Sequence, residues 1–142
     1  MSKRLTASLI LAVLVTLLAS AAAAQTDAQT RVFNAPVDRI WAVTRSTLKS
    51  LGWDIDTEDS DVGWIRTDSR RLEGEDFGVY AKGTKQRLRI VIKGQEGGKT
   101  SVTVERRVWK QERILWMDKE EDIPVKDHAV EKQVLDAIAA SL

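Results

Sequence analysis

The chain is 142 residues long, with 22 basic and 21 acidic side chains, one histidine and no cysteine. Without cysteine it cannot form disulfides, thiolate metal sites or a thiol nucleophile. The balanced charge argues against nucleic-acid binding, because such proteins need a basic excess to displace the counterions of the phosphates.

An export signal is predicted at the N-terminus. Lys3 and Arg4 precede an apolar stretch, residues 5–18, and then the small residues 19–24 that suit a signal peptidase. The apolar stretch is shorter than the roughly 20 residues that cross a membrane as a helix. We therefore expect residues 1–24 to be cleaved near Ala24, leaving no integral membrane segment in a periplasmic protein.

No lipid anchor is expected, because Ala21 stands where a bacterial lipoprotein signal carries its cysteine. After the signal we predict a short linker, residues 25–30, and a single domain, residues 31–142. Since only two of the 22 basic residues precede residue 25, residues 25–142 carry 20 basic and 21 acidic side chains. A chain of this size can bury one core unaided.

The first elements of the domain are predicted to be a strand and an amphipathic helix. Residues 31–34 form the strand, and Pro36 opens the helix because its fixed φ suits a first turn. Gly52 ends the helix, since it tolerates left-handed backbone. The residues expected on the buried helix face are Val37, Ile40, Trp41, Thr44, Leu48 and Leu51.

Antiparallel strands and a second helix are predicted to follow. Residues 53–67 alternate around an acidic turn, and residues 86–108 alternate around a glycine-rich hairpin turn at 94–99. Residues 68–84 lack periodicity and are interpreted as a loop or irregular edge, and residues 110–123 remain ambiguous. Pro124 is expected to open the last helix. The order strand, helix, strands, helix predicts an α+β fold.

Three segments carry a resemblance to a known family: residues 33–41 (FNAPVDRIW), residues 48–53 (LKSLGW), and the acidic run 56–61 followed by Gly-Trp-Ile at 63–65. Together they resemble the BamC family, the lipoprotein accessory of the outer-membrane β-barrel assembly machine. The resemblance implies a helix-grip fold, in which an N-terminal helix and a long C-terminal helix pack on one face of an antiparallel sheet. It also implies a role in barrel assembly.

The chain departs from that family in its missing anchor cysteine and in showing one such domain rather than two. The opening at residues 33–41 is similar as well to ligand-binding helix-grip proteins of the polyketide-cyclase and START type. That second resemblance implies a cavity for a small ligand between the sheet and the final helix.

A partner surface is predicted at two of the five tryptophans. Trp109 has the wrong strand parity for the core and follows Arg107, while Trp116 and Met117 lie among charged residues. Exposed tryptophan beside arginine is typical of interface anchors. The candidate partner surface is therefore Trp109, Trp116, Met117 and Arg107. In the alternative, a bulge or the C-terminal helix covers the two tryptophans.

A candidate anion contact lies at Arg66, Arg70 and Arg71, where one strand ends. One interpretation is a solvated loop in which these arginines pair with the acidic residues that follow at 73–76. The other is a site for anionic headgroups, because guanidinium groups match phosphate oxygens.

No catalytic residue, cofactor or metal ligand is predicted. The acidic residues at 54–61 fit no EF-type calcium loop in either register and are better explained as the outward side of a strand. His128, the only histidine, is expected in the first turn of the last helix. A lone imidazole makes no zinc site without carboxylate partners.

These features predict a non-enzymatic periplasmic accessory or binding module of the bacterial cell envelope. It would be BamC-like, would engage an envelope protein, and would be linked to outer-membrane protein assembly. The alternative is a carrier or sensor of a small amphipathic ligand in a helix-grip cavity. The two differ in where apolar surface lies, outside as a patch or inside as a cavity.

Overall fold

A computed structural model describes residues 28–72 and 81–142. The predicted signal peptide, the first three residues of the predicted linker, and the acidic residues 73–76 lie outside this part of the chain. The elements are β1 (Ala28–Phe33), α1 (Val37–Ser50), β2 (Ile55–Asp59), β3 (Trp64–Thr67), β4 (Arg70–Leu72), β5 (Ala81–Gln95), a 3-10 turn (Glu96–Gly98), β6 (Lys99–Ile114), β7 (Met117–Ile123) and α2 (Ala129–Ala140).

A long hairpin of β5 and β6 forms the centre of one antiparallel sheet. The turn at residues 94–99 that joins the two strands confirms the predicted hairpin. Two short strands, β3 and β4, pair successively along the free edge of β5, and β2 pairs with β3. On the other side, β1 and β7 pair successively along β6. β1 begins at Ala28, inside the stretch predicted to be linker.

The first helix confirms its sequence prediction. α1 follows Pro36, carries Asp38 in its first turn and Lys49 in its last, and ends before Gly52, which has φ of +77°. The charges at both ends complement the helix dipole. Trp41 is only half-buried, although the pattern placed it on the buried face.

Both helices pack on the same face of the sheet, and the core lies between the two layers. Alternate residues of β5 and β6 point into it, as the period of two predicted. The fully buried aliphatic side chains of this core are Ile40, Leu48, Ile65, Leu88, Ile90, Val102, Val104, Val134 and Ile138.

The predicted helix-grip fold with a long C-terminal helix is wrong. Residues 28–72 and 81–142 form mainly a seven-stranded antiparallel sheet, and α2 has only 12 residues. The helix begins at Ala129 rather than at Pro124, because residues 124–128 join β7 to it without regular structure, and His128 is its N-cap. Residues 110–123, which were ambiguous in sequence, extend β6 and form β7.

A buried ion pair joins α2 to the sheet. Glu131 is fully buried, and its Oε2 lies 3.4 Å from Nε of Arg106, which is 9% exposed on the helix-covered face of β6. Oε1 of Glu131 lies 3.3 Å from Nδ1 of His128. Arg106 also donates to Oε1 of Gln86 at 3.3 Å and to the carbonyl oxygen of Asp127 at 2.8 Å. The only histidine is thus part of a structural contact.

Candidate functional site

Neither helix of residues 28–72 and 81–142 covers the second face of the sheet, which we call the outer face. Trp64 and Arg66 of β3 point outward, as do the alternate residues of β5 and β6 that are out of phase with the core. In β5 these residues are Lys85, Arg87, Arg89, Val91 and Lys93. The period-two alternation that buries the aliphatic side chains therefore lines up cations on the uncovered side.

Four arginines surround a hollow of ≈ 310 Å³ on this face. The arginine hollow, as we call it, is lined by Trp64, Arg66, Arg87, Arg89, Glu105 and Arg107. Its side chains come from three neighbouring strands. Arg66 lies directly opposite Arg89 across β3 and β5, and Arg87 lies directly opposite Arg107 across β5 and β6. Directly opposed like charges are unfavourable in a sheet.

Carboxylates outside the hollow hold its two flanking arginines. Arg66 donates from Nε and Nη2 to Oδ2 of Asp56, at 3.0 and 2.7 Å. This hydrogen bonding, with a smaller contribution from Thr57, lowers the pKa of Asp56 below its usual value. On the other side, Arg107 donates to Oδ1 of Asp122 at 2.8 Å from Nε.

The two central arginines have weaker partners. Nη1 of Arg89 lies 3.8 Å from Oε2 of Glu105, too far for a hydrogen bond. Arg87 forms no salt bridge with any residue in 28–72 or 81–142, and its guanidinium lies 5.6 Å from the ring centre of Trp109. The middle of the hollow is therefore its least neutralised part.

Trp109 is not an exposed anchor. It points to the outer face, as its parity predicted, but it is only 4% exposed because neighbouring side chains cover its ring. Arg107 lies 4.8 Å from the ring centre and contributes to this cover. The hypothesis that both tryptophans present free indoles is therefore wrong for Trp109, and what covers it includes arginine rather than the C-terminal helix.

Trp116 and Met117 lie at the apex of the β6–β7 hairpin. We call residues 114–117, Ile-Leu-Trp-Met, the hairpin apex. Ile114 pairs with Met117, so Leu115 and Trp116 form a two-residue turn and are 75% and 79% exposed. Leu115 has φ of +58°, a conformation that such turns usually give to glycine. The exposure of Trp116 that the partner hypothesis requires is present.

The predicted arginine cluster is divided between the two faces of the sheet. Only Arg66 lines the hollow. Arg70 points to the helix-covered side, where its guanidinium lies 3.3 Å from the ring centre of Trp53, and burial lowers its pKa. Arg71 lies opposite Lys85 and has an interaction partner of its own. Successive residues of a strand point to opposite faces, so neighbours in sequence do not share a site.

Sequence reasoning missed Trp64, Arg87 and Arg89 as members of one site. The signal was present in β5, where every second residue from 85 to 89 is basic. Its meaning depended on β3 and β6 being the neighbours of β5, because Arg66 and Arg107 come from those strands.

The part of the chain that the structure describes holds no group of three or more potential metal-ligating side chains. Neither of its helices has the length and apolar character needed to cross a membrane. Comparison with models of known protein families and with curated proteins finds no match to the chain.

Proposed function

We propose that this protein is a non-enzymatic accessory or binding module of the bacterial cell envelope, exported to the periplasm, that docks an envelope protein through its hairpin apex. The observation that carries the proposal is four consecutive apolar residues exposed at the end of a projecting hairpin. Large contiguous apolar patches on the surface of soluble proteins usually mark binding sites. Trp116, at the tip, is the residue type most enriched among binding hot spots.

The backbone of the apex supports the same proposal. A leucine with positive φ costs about 1–2 kcal/mol relative to ordinary backbone, and glycine would avoid that cost. Such strain is characteristic of positions kept for function rather than stability. Immediately behind the apex, Arg113 and Asp118 lie 3.8 Å apart across the hairpin. These charges confine the apolar contact to the tip, as expected for an anchor that enters a pocket in its partner.

The non-enzymatic part of the proposal rests on the surroundings of the only histidine. Nδ1 of His128 faces buried Glu131, whose other oxygen faces Arg106, and these contacts support a packing role for the imidazole. The predicted export signal at residues 1–24 supports a periplasmic location. The BamC resemblance of residues 33–65 supports a connection with outer-membrane protein assembly.

Photocrosslinking in cells tests the docking site. A photoreactive residue at position 116 is expected to give a discrete protein adduct in the periplasmic or envelope fraction. The same residue at position 62 is the control, because Val62 is also an exposed apolar residue, 68% accessible, but lies in the β2–β3 turn. Identical adducts from the two positions, or a cytoplasmic protein that keeps residues 1–24, would contradict the proposal.

Two substitutions then separate binding from stability. Trp116→Ala should change the free energy of unfolding by no more than about 0.5 kcal/mol, while weakening partner binding by about 2 kcal/mol or more. Leu115→Gly should stabilise the fold by up to about 1 kcal/mol by relieving the backbone, and should also weaken binding. If both variants bind the captured partner normally, the apex is not its docking site.

A further inference from the structure

We propose that the arginine hollow on the outer face is a binding site for a phosphate-bearing anion. The site is separate from the hairpin apex and does not depend on the function proposed for it. Its four guanidinium groups come from β3, β5 and β6 and line one space of ≈ 310 Å³.

The arrangement of charge in the hollow favours the binding of an anion. Two directly opposed arginine pairs, Arg66 with Arg89 and Arg87 with Arg107, lie in consecutive outward rows of the sheet. Like charges in this position repel one another. An anion bound between the rows would attract all four guanidinium groups and offset that repulsion. The carboxylates of Asp56 and Asp122 neutralise the flanking arginines from outside and leave the centre open.

The centre of the hollow is where the ligand would bind. Arg87 and Arg89 are two residues apart on β5 and therefore point to the same face. Arg87 has no carboxylate within salt-bridge distance among the described residues, and Arg89 has only the 3.8 Å contact with Glu105. Both guanidinium groups therefore have donors to offer a ligand without breaking a strong existing bond.

Phosphate fits this geometry better than carboxylate. A tetrahedral phosphate presents acceptor oxygens in several directions, so donors from three strands can reach it together, and guanidinium forks match its oxygens. The hollow is at the lower end of the size range of small-molecule sites, which suits a phosphorylated headgroup or small ester. Trp64 adds an apolar flank for the non-phosphate part of such a ligand.

The test is titration of the purified protein at low ionic strength with inorganic phosphate and glycerol 3-phosphate, followed by the Trp64 indole N–H resonance. Saturable binding is expected for the unaltered protein. Arg87→Gln should weaken it about tenfold, the usual effect of losing one hydrogen bond to a charged group. Arg45→Gln is the matched control, because it removes the same charge from α1 on the opposite side of the sheet. It should change affinity less than twofold.

A gain-of-affinity variant keeps the test decisive if Arg87→Gln folds poorly. Glu105→Gln removes the one carboxylate that lines the hollow and should strengthen phosphate binding about two- to fivefold. Vesicles of phosphatidylcholine with and without phosphatidylglycerol identify the source of the phosphate. Binding only to the phosphatidylglycerol vesicles indicates a lipid headgroup, and binding of the soluble probes alone indicates a free phosphate ester.

Three results would overturn the proposal. The first is the absence of saturable binding to every phosphate probe, soluble or in vesicles. The second is equal weakening by Arg87→Gln and Arg45→Gln, which would mean that only net charge matters. The third is tighter binding of a polyglutamate peptide than of any phosphate probe, which would assign the hollow to an acidic protein segment instead.

Discussion

Replacing Glu131 by glutamine should remove a large part of the stability of this protein. Glu131 is fully buried, and its partner Arg106 is 9% exposed, so the substitution leaves a desolvated guanidinium without its counter-charge. Removing one member of a buried ion pair typically costs about 3–5 kcal/mol. Whole domains have about 5–15 kcal/mol of stability. Arg106 keeps two neutral acceptors, Oε1 of Gln86 and the carbonyl oxygen of Asp127. The carboxylate of Asp127 also lies 3.7 Å from Nη2 of Arg106, but it is exposed and screened by solvent, so these partners reduce the cost only in part.

Urea unfolding followed by circular dichroism measures this cost. With a slope of about 2 kcal/mol per molar urea, the midpoint should fall by roughly 1.5–2.5 M. The control is the double variant Arg106→Met with Glu131→Leu, which replaces both charges by apolar side chains of similar size. It should recover most of the loss, because it leaves no buried charge unpaired.

The cycle of Glu131→Leu, Arg106→Met and their double variant gives the coupling energy directly. We expect at least about 2 kcal/mol, since residues in one ionic network are strongly non-additive. The two atoms of the pair lie 3.4 Å apart without hydrogen-bond geometry, so this energy would be mainly electrostatic. A Glu131→Gln variant within about 0.5 kcal/mol of the unaltered protein, or a double variant that loses the sum of the two single losses, would refute the reasoning.

Four further variants probe other parts of the molecule. Trp109→Ala should cost about 3–5 kcal/mol in urea unfolding, because the indole is buried beneath neighbouring side chains on the outer face; a loss below 1 kcal/mol would mean that the ring is free. Gly63→Ala should cost about 2–5 kcal/mol, since its Cβ would collide with the Ile92 carbonyl oxygen and its φ is +84°. Gly97→Ala, with φ of +77° and open space around it, should cost only about 1–2 kcal/mol. Equal losses of stability in the Gly63 and Gly97 variants would exclude the collision with the Ile92 carbonyl oxygen. The carboxyl of Asp136 accepts hydrogen bonds from Lys132, which has the larger effect, and from Arg31, and both lower its pKa below 3.8. The stability that ionised Asp136 contributes is therefore complete well above pH 3.8 and declines as the pH falls through the lowered pKa. Asp136→Asn should make the free energy of unfolding less dependent on pH in the acid range. An unchanged pH dependence would contradict this.

The sequence alone determined the elements whose causes are local. The first helix has a proline start, an apolar face and a glycine stop within 17 residues, 36–52, and the structure places α1 between these signals. The hairpin turn at 94–99 is equally local, because its glycines supply the positive φ that a tight turn needs. The alternation in β5 likewise indicated which of its residues would be buried.

The tertiary structure decided what depends on partners distant in the chain. Residues 110–123 were ambiguous in sequence because their strands depend on the pairing of β6 with β7. Trp109 has Arg107 and Arg87, the latter 22 residues earlier in the chain, 4.8 and 5.6 Å from its ring centre, and strand pairing brings Arg87 there. The arginine hollow exists because pairing register brings Arg66 opposite Arg89. Strand register is a non-local property, so a sequence that predicts which residues alternate cannot by itself say which of them meet.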